Sequence, residues 1–186
     1  MKVLHWPAPA VAWHNGLLAL ATHVPAGGSR ETARADIRAA ICEAAGLLTD
    51  TGPERIEVAG APGARPRLLI DGEDCGIGVA ISHAERLSVA VLRRDGAVGV
   101  DVMQIVLPSD WARVAQDYLG MAVSVRLAAL GDADRPLAFC QAWAVREAAL
   151  KLRGEGLREW AAGDLEGARF VELALQDGLV GVVALP

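Results

Sequence analysis

Several groups of side chains in this 186-residue chain have types and spacings that could do chemistry. In Val98-Gly99-Val100-Asp101-Val102-Met103, period-two alternation sends the valines to one face and Gly99, Asp101 and Met103 to the other. A carboxylate at a strand end beside a small glycine can hold a metal ion or a base; a solvent-exposed strand end is the plainer alternative. Phe139, Trp143, Glu147 and Lys151 recur every four residues, one stripe of a helix that makes Glu147 and Lys151 neighbours. On an exposed helix such a pair is an ordinary ion pair worth about 0.3–0.5 kcal/mol. Beside two aromatic rings, desolvation would shift both groups and suit acid–base work. Ser82 and His83 are adjacent in an extended run, so they point to opposite faces and cannot form a nucleophile–base dyad with each other. They could bind an anion together if the backbone turns there, whereas His83 taken alone reads as a structural or surface histidine. Arg30, Arg34 and Arg38 stack at four-residue spacing, either a solvated face offset by Glu31 and Asp36 or an anion-binding face. Lys151 is the only lysine apart from Lys2, which suggests a site wanting a compact ammonium rather than a planar fork.

The elements that position these groups read as follows. Val11 to Trp13 and Leu17 to Ala21 are predicted strands around the His14-Asn15-Gly16 turn, and Ser29 is the predicted N-cap of a helix closing near Thr49 to Gly52. That helix carries Ala33, Ile37, Ala40, Ile41, Ala44 and Leu48 on one face. A loop from Gly63 leads into an extended Arg67 to Ile70, and Ile77 to Ile81 is extended as well. Leu87 to Leu92 and Val98 to Val102 read as a hairpin around Asp95-Gly96. Helices follow over Trp111 to Tyr118, Met121 to Leu130 and Leu137 to Arg153, the last with Ala138, Ala142, Val145, Ala149 and Leu152 as its buried side and Gly154 as its stop. Two strands, Arg169 to Leu175 and Leu179 to Leu185, flank Asp177-Gly178. The pattern is α+β, with helices packed on antiparallel hairpins.

Bulk properties narrow the function classes. A chain with 53% hydrophobic and 22% charged residues and a mean hydropathy of +0.30 is globular in composition. Its longest early apolar stretch, Gly16 to Ala21, is too short to cross a bilayer, and Trp6, Pro7, His14 and Asn15 interrupt any signal-peptide core. The net charge of -5 argues against a general nucleic-acid binder, so a polyanionic ligand must meet a local basic patch. Cys42, Cys75 and Cys140 are odd in number and widely spaced, which reads as reduced thiols and a cytoplasmic protein rather than as a disulfide or zinc framework.

In order along the chain, Arg65-Pro66, Ser82-His83-Ala84, Gly99-Val100-Asp101-Val102 and the run Trp143-Ala144-Val145-Arg146-Glu147-Ala148-Ala149-Leu150-Lys151, followed by Gly154-Glu155-Gly156-Leu157, closely resemble the surfactin-type 4′-phosphopantetheinyl transferases. The resemblance covers about residues 63 to 158, and the first sixty residues are only generically similar. It implies a pseudo-twofold pair of similar α+β lobes, here 1–100 and 101–186, with the site in the cleft between them. It also implies transfer of the phosphopantetheine arm of coenzyme A to a serine of an apo acyl, polyketide or peptidyl carrier protein, by a monomer.

Carried over to matching positions, the resemblance makes Asp101 and Glu147 ligands of Mg²⁺, an ion that requires hard oxygen donors. Glu147, directly or through a water, would deprotonate the carrier serine, and Lys151 would stabilise charge at the transferred phosphate. Arg65, Ser82 and His83 would hold the 3′-phosphate of coenzyme A, with Arg146 in place of a common lysine and the Arg30, Arg34 and Arg38 flank as a supplement. Arg113 and Arg126 are candidates for carrier recognition. The chain departs from the family at Met103, where a second acid is usual, and at Met121, Ala122 and Val123, where another acid is common. Gln104 points to the opposite face from Asp101. Water is therefore expected to fill the position at Met103, since a thioether is a poor partner for Mg²⁺. A relative that binds coenzyme A or a carrier without transfer is the alternative.

Overall fold

The computed structural model describes residues 1–24, 27–61 and 64–186; Gly63, the expected start of a loop, lies outside the described residues. The aliphatic runs form two sheets. The larger comprises β1 (Leu4–His5), β2 (Leu17–His23), β3 (Ile56–Ala59), β4 (Arg67–Ile70), β5 (Glu73–Ala84) and β6 (Leu87–Arg93), in the order β1-β2-β6-β5-β4-β3. Its pairings are antiparallel except β1 with β2. The smaller sheet, β7 (Gly99–Gln104), β8 (Arg169–Glu172) and β9 (Leu179–Leu185), is antiparallel in the order β7-β9-β8. With α1 (Arg30–Thr49), α2 (Trp111–Tyr118), α3 (Met121–Ala128) and α4 (Arg135–Arg153), the architecture is α+β.

Alternation along the strands divides the core into three. On one face of the larger sheet, Leu18, Leu20, Val79 and Leu92 meet Ile37, Ile41 and Ala44 of α1. On the other face, Ala19, Ala21, Val89 and Val91 meet Val98, Val100, Val102 and Val183 of the smaller sheet. The remaining face of the smaller sheet, through Val180, Val182 and Ala184, receives α4. The α4 side that packs there carries Cys140, Ala144, Ala148 and Leu152, four residues apart, while the expected Ala138, Ala142 and Val145 are half-buried at its margin. Small residues on the contact stripe let the helix approach the sheet closely, which apolarity alone does not reveal.

The local signals for caps and turns hold. Ser29 Oγ accepts from the Thr32 N–H at 3.0 Å, and Gly154 ends α4 at φ 71°. Asn15 and Gly16, at φ 51° and 75°, take the left-handed conformations that a two-residue turn needs. Two pairings differ from expectation. Residues Val11 to Trp13 form no strand, because the edge of β2 is occupied by β1. β6 and β7 are not a hairpin: both edges of β6 are taken by β2 and β5, and the Asp95-Gly96 turn carries the chain from one sheet to the other. Two-residue hairpins are instead formed by β4–β5, which pairs Ile70 with Glu73 across Asp71 and Gly72, and by β5–β6, which pairs Ala84 with Leu87 across Glu85 and Arg86.

Candidate active site

The chemistry converges where β5, β7 and α4 meet. Gly99 makes that approach possible: a Cβ there would lie 2.0 Å from the Ala148 carbonyl oxygen and 2.6 Å from the Leu152 nitrogen. With β7 pressed on α4, Asp101 and Lys151 pair, Nζ donating to Oδ1 at 2.7 Å. Asp101 is 7% exposed, and Ser82 Oγ donates to the same oxygen at 2.9 Å. Ser82 Oγ itself accepts from the Val102 N–H at 3.1 Å and from Lys151 Nζ at 3.1 Å. A hydroxyl has one proton and two lone pairs, so all of Ser82's capacity is spent inside this cluster. An ammonium has three protons, and Lys151 keeps one beyond these two partners.

Lys151 therefore pairs across to β7 rather than with Glu147 on its own helix. Glu147 is half-buried, and its carboxyl is pushed above the ordinary glutamate range, first by burial and then by the negative charge of Asp101, against the opposing pull of Lys151 and Arg146. The influence of Asp101 on Glu147 puts the two carboxylates in one electrostatic neighbourhood.

Lys151 stands between two cavities. One, of about 380 Å³, is lined by Ser29, Arg30, Arg34, His83, Asp101 and Lys151. The other, of about 210 Å³, is lined by Arg65, Pro66, Ile81, Lys151, Gly154 and Glu155. β5 stays extended through Ser82 and His83, so the two side chains go to opposite faces: Ser82 towards β7, His83 towards α1. Burial, followed by the positive charges of Arg34, Lys151 and Arg30, depresses the His83 imidazole below the ordinary histidine range. Together with the N-terminus of α1, these cations make a setting for an anion.

Of the arginine row on α1, Arg30 and Arg34 reach this cavity, whereas Arg38 donates to the carbonyls of Val58 and Gly60. Arg65 donates to the Leu152 carbonyl at the end of α4, tying the larger sheet's β3–β4 connection to the smaller sheet's helix. Arg146 does not join the cluster. Its guanidinium is 2% exposed, pairs with Asp164, donates to the Arg158 and Glu159 carbonyls and lies 5.1 Å from the Trp160 ring centroid. Arg158 also pairs with Asp164, so one carboxylate holds down the segment after α4. Arg113 pairs with Asp117 at 3.5 Å, and Arg126 lines a groove beside Trp160.

Sequence reasoning missed Ser88, whose Oγ lies 2.8 Å from His83 Nδ1. A lone serine in the apolar run Leu87 to Leu92 was the available signal. It also missed Asp164, which lies in a loop close to Glu159 and Glu166 with nothing in the sequence to single it out.

No curated protein matches the chain significantly. Residues 97–182 match the family described as ACPS, 4′-phosphopantetheinyl transferase superfamily. This span begins just before the Asp101 strand and includes Glu147 and Lys151, so the part of the chain that carries these residues is similar to the 4′-phosphopantetheinyl transferase superfamily.

Proposed function

We propose that this chain is a surfactin-type 4′-phosphopantetheinyl transferase, moving the phosphopantetheine arm of coenzyme A to a carrier-protein serine and releasing 3′,5′-ADP. The observation that carries the reading is the Ser82–Asp101–Lys151 cluster with Glu147 beside it, set against a cavity lined by Arg30, Arg34 and His83. Phosphopantetheinyl transfer in general is supported by the superfamily match over residues 97–182. The carrier substrate and the roles below are the proposal.

Among the described residues no group of three or more His, Cys, Asp or Glu is placed to hold a metal. The donor chemistry nevertheless fits Mg²⁺, which is usually bound by one or two carboxylates together with substrate phosphates and water. Asp101 and Glu147 would hold it. When bound, the ion would neutralise charge on the pyrophosphate of coenzyme A. Lys151 directs its remaining proton toward the transferred phosphate, a preorganised charge held by Ser82 and Asp101. Glu147 takes the proton of the carrier serine, directly or through a water. His83, Arg30 and Arg34 bind the 3′-phosphate in the larger cavity, with Arg65 at the neighbouring one. Ser82 acts by positioning Asp101 and Lys151, and the buried Arg146 by anchoring the segment after α4.

The same reading includes two related lobes, divided near residue 100. Strand order supports it: β2-β6-β5 with α1 and β7-β9-β8 with α4 each place the first strand, then the last, then the one before it. A monomeric state and a cytoplasmic location belong to this reading. No helix among the described residues is long and apolar enough to cross a membrane. A second reading, coenzyme A or carrier binding without transfer, is favoured by Met103 on the strand face of Asp101.

The test is incubation with coenzyme A, Mg²⁺ and a panel of apo carrier proteins, read by intact mass of the carriers, with Glu147→Ala as control. Addition of the arm that disappears in the control is the expected result. Coenzyme A binding without transfer to any carrier would favour the second reading.

A further inference from the structure

Beneath the first turn of α1 lies a row of three polar side chains, of which the proposed reaction uses only His83. Thr22 on β2, Ser88 on β6 and His83 on β5 stand directly opposite one another, Thr22 with Ser88 and Ser88 with His83. Alternation from Leu20, Ala90 and Ile81 puts all three on the sheet face that carries α1. Ser88 is fully buried, and its Oγ lies 2.8 Å from His83 Nδ1. Thr22 is 7% exposed, and its Oγ1 has no hydrogen-bond partner among the described residues. Such an orphan is uncommon in a folded protein, and this one sits one strand away from a hydroxyl that can rotate.

A neutral imidazole whose Nδ1 accepts must carry its proton on Nε2, and a doubly protonated ring must donate from both nitrogens. We propose that Ser88 is a positioning residue: its hydroxyl donates to His83 Nδ1 and so holds the Nε2–H tautomer, which offers a donor to an anion in the cavity. When a bound anion draws a second proton from solvent onto Nδ1, the Ser88 oxygen becomes the acceptor, and a small shift of the Ser88 and Thr22 side chains towards each other lets the freed hydroxyl donate to Thr22 Oγ1. This rests on the reading that the 3′-phosphate of coenzyme A occupies the cavity.

The surroundings of His83 fit such a switch. Arg30 and Arg34 reach it from α1, Lys151 from α4 and Glu85 from the β5–β6 turn, with Asp101 on β7 as the other acid lining the cavity. Cations outnumber acids around the ring, a setting that disfavours its charged form, in line with the depressed imidazole. A phosphate dianion reverses that balance and favours the imidazolium. Thr22 then acquires the partner it lacks at rest.

Nitrogen-15 NMR of histidine-labelled protein reads the tautomer directly, and calorimetry with coenzyme A and with dephospho-coenzyme A, which lacks the 3′-phosphate, reads the binding. The wild type is expected to show the Nε2–H tautomer when free and an imidazolium when coenzyme A is bound at neutral pH. Ser88→Ala should mix the tautomers, and Ser88→Ala and Thr22→Val should each weaken coenzyme A by roughly tenfold while leaving dephospho-coenzyme A unchanged. Thr22→Val should keep the free tautomer and the thermal stability, which separates the switch from a packing effect. An Nδ1–H tautomer in the free wild type, or full coenzyme A affinity in Ser88→Ala, would overturn the proposal. Equal binding of the two coenzymes by the wild type would overturn instead the placement of the 3′-phosphate, a failure of the underlying reading that leaves the tautomer to be judged on the free-protein spectrum.

Discussion

At the scale of the residue, the site is defined by which polar groups have capacity left. Ser82 has none, since its hydroxyl serves Asp101, Val102 and Lys151 together. Lys151 has one proton left, which an arginine fork could not direct in the same way. Met103 is the weak point of the metal reading, because a thioether two residues after Asp101 on the same strand face offers Mg²⁺ little. Met103→Glu should therefore tighten Mg²⁺ binding several-fold, measured by calorimetry on the isolated protein. It should also lower metal-free stability by about 1–3 kcal/mol, because Met103 packs at the edge of the α4 core. Unchanged metal affinity would show that position 103 does not face the ion.

At the scale of the element, the separation of β7 and α4 controls the site. The absent Cβ at Gly99 lets the Ala148 carbonyl oxygen and the Leu152 nitrogen come to 2.0 and 2.6 Å from where that atom would lie, and backbone on both sides leaves nothing to swing away. Gly99→Ala should cost about 1–3 kcal/mol in urea unfolding, at the upper end of ordinary overpacking. Because Asp101 follows two residues later, the variant should also lengthen the Asp101–Lys151 pair and weaken coenzyme A binding. A variant as stable as the wild type would mean that α4 can shift without loss.

At the scale of the whole molecule, the two sheets are not separable by burial. Val98, Val100 and Val102 complete a core whose other wall is Ala19, Ala21, Val89 and Val91. Arg65 ties the β3–β4 connection to the end of α4, and Lys2 bridges to Ala174 beside the smaller sheet. Unfolding should thus be one cooperative transition. Tryptophan fluorescence followed separately from Trp6 and Trp13 and from Trp111, Trp143 and Trp160, in variants retaining one set, should give midpoints coincident with far-ultraviolet circular dichroism. Separate midpoints would show that the halves fold independently.

The groups now at the site were legible in the sequence as types and periods: Asp101 by alternation on a valine strand, Glu147 and Lys151 by helical spacing, Ser82 and His83 as a pair that must diverge. The helix caps and turns were legible too, because Ser29, Asn15-Gly16 and Gly154 act through interactions a few residues long. Pairing was not. Asp95-Gly96 is a sound turn, yet whether it closes a hairpin depends on which strand edges are already occupied, and those edges are filled by β2 and β5 from distant parts of the chain. Lys151 chose Asp101 over its helical neighbour Glu147 for the same kind of reason, since only the packing of α4 on Gly99 brings that carboxylate to 2.7 Å. Arg146, one residue from Glu147, was drawn instead to Asp164. Local chemistry is written in neighbouring residues; which charges meet is decided by the long-range contacts that bury them.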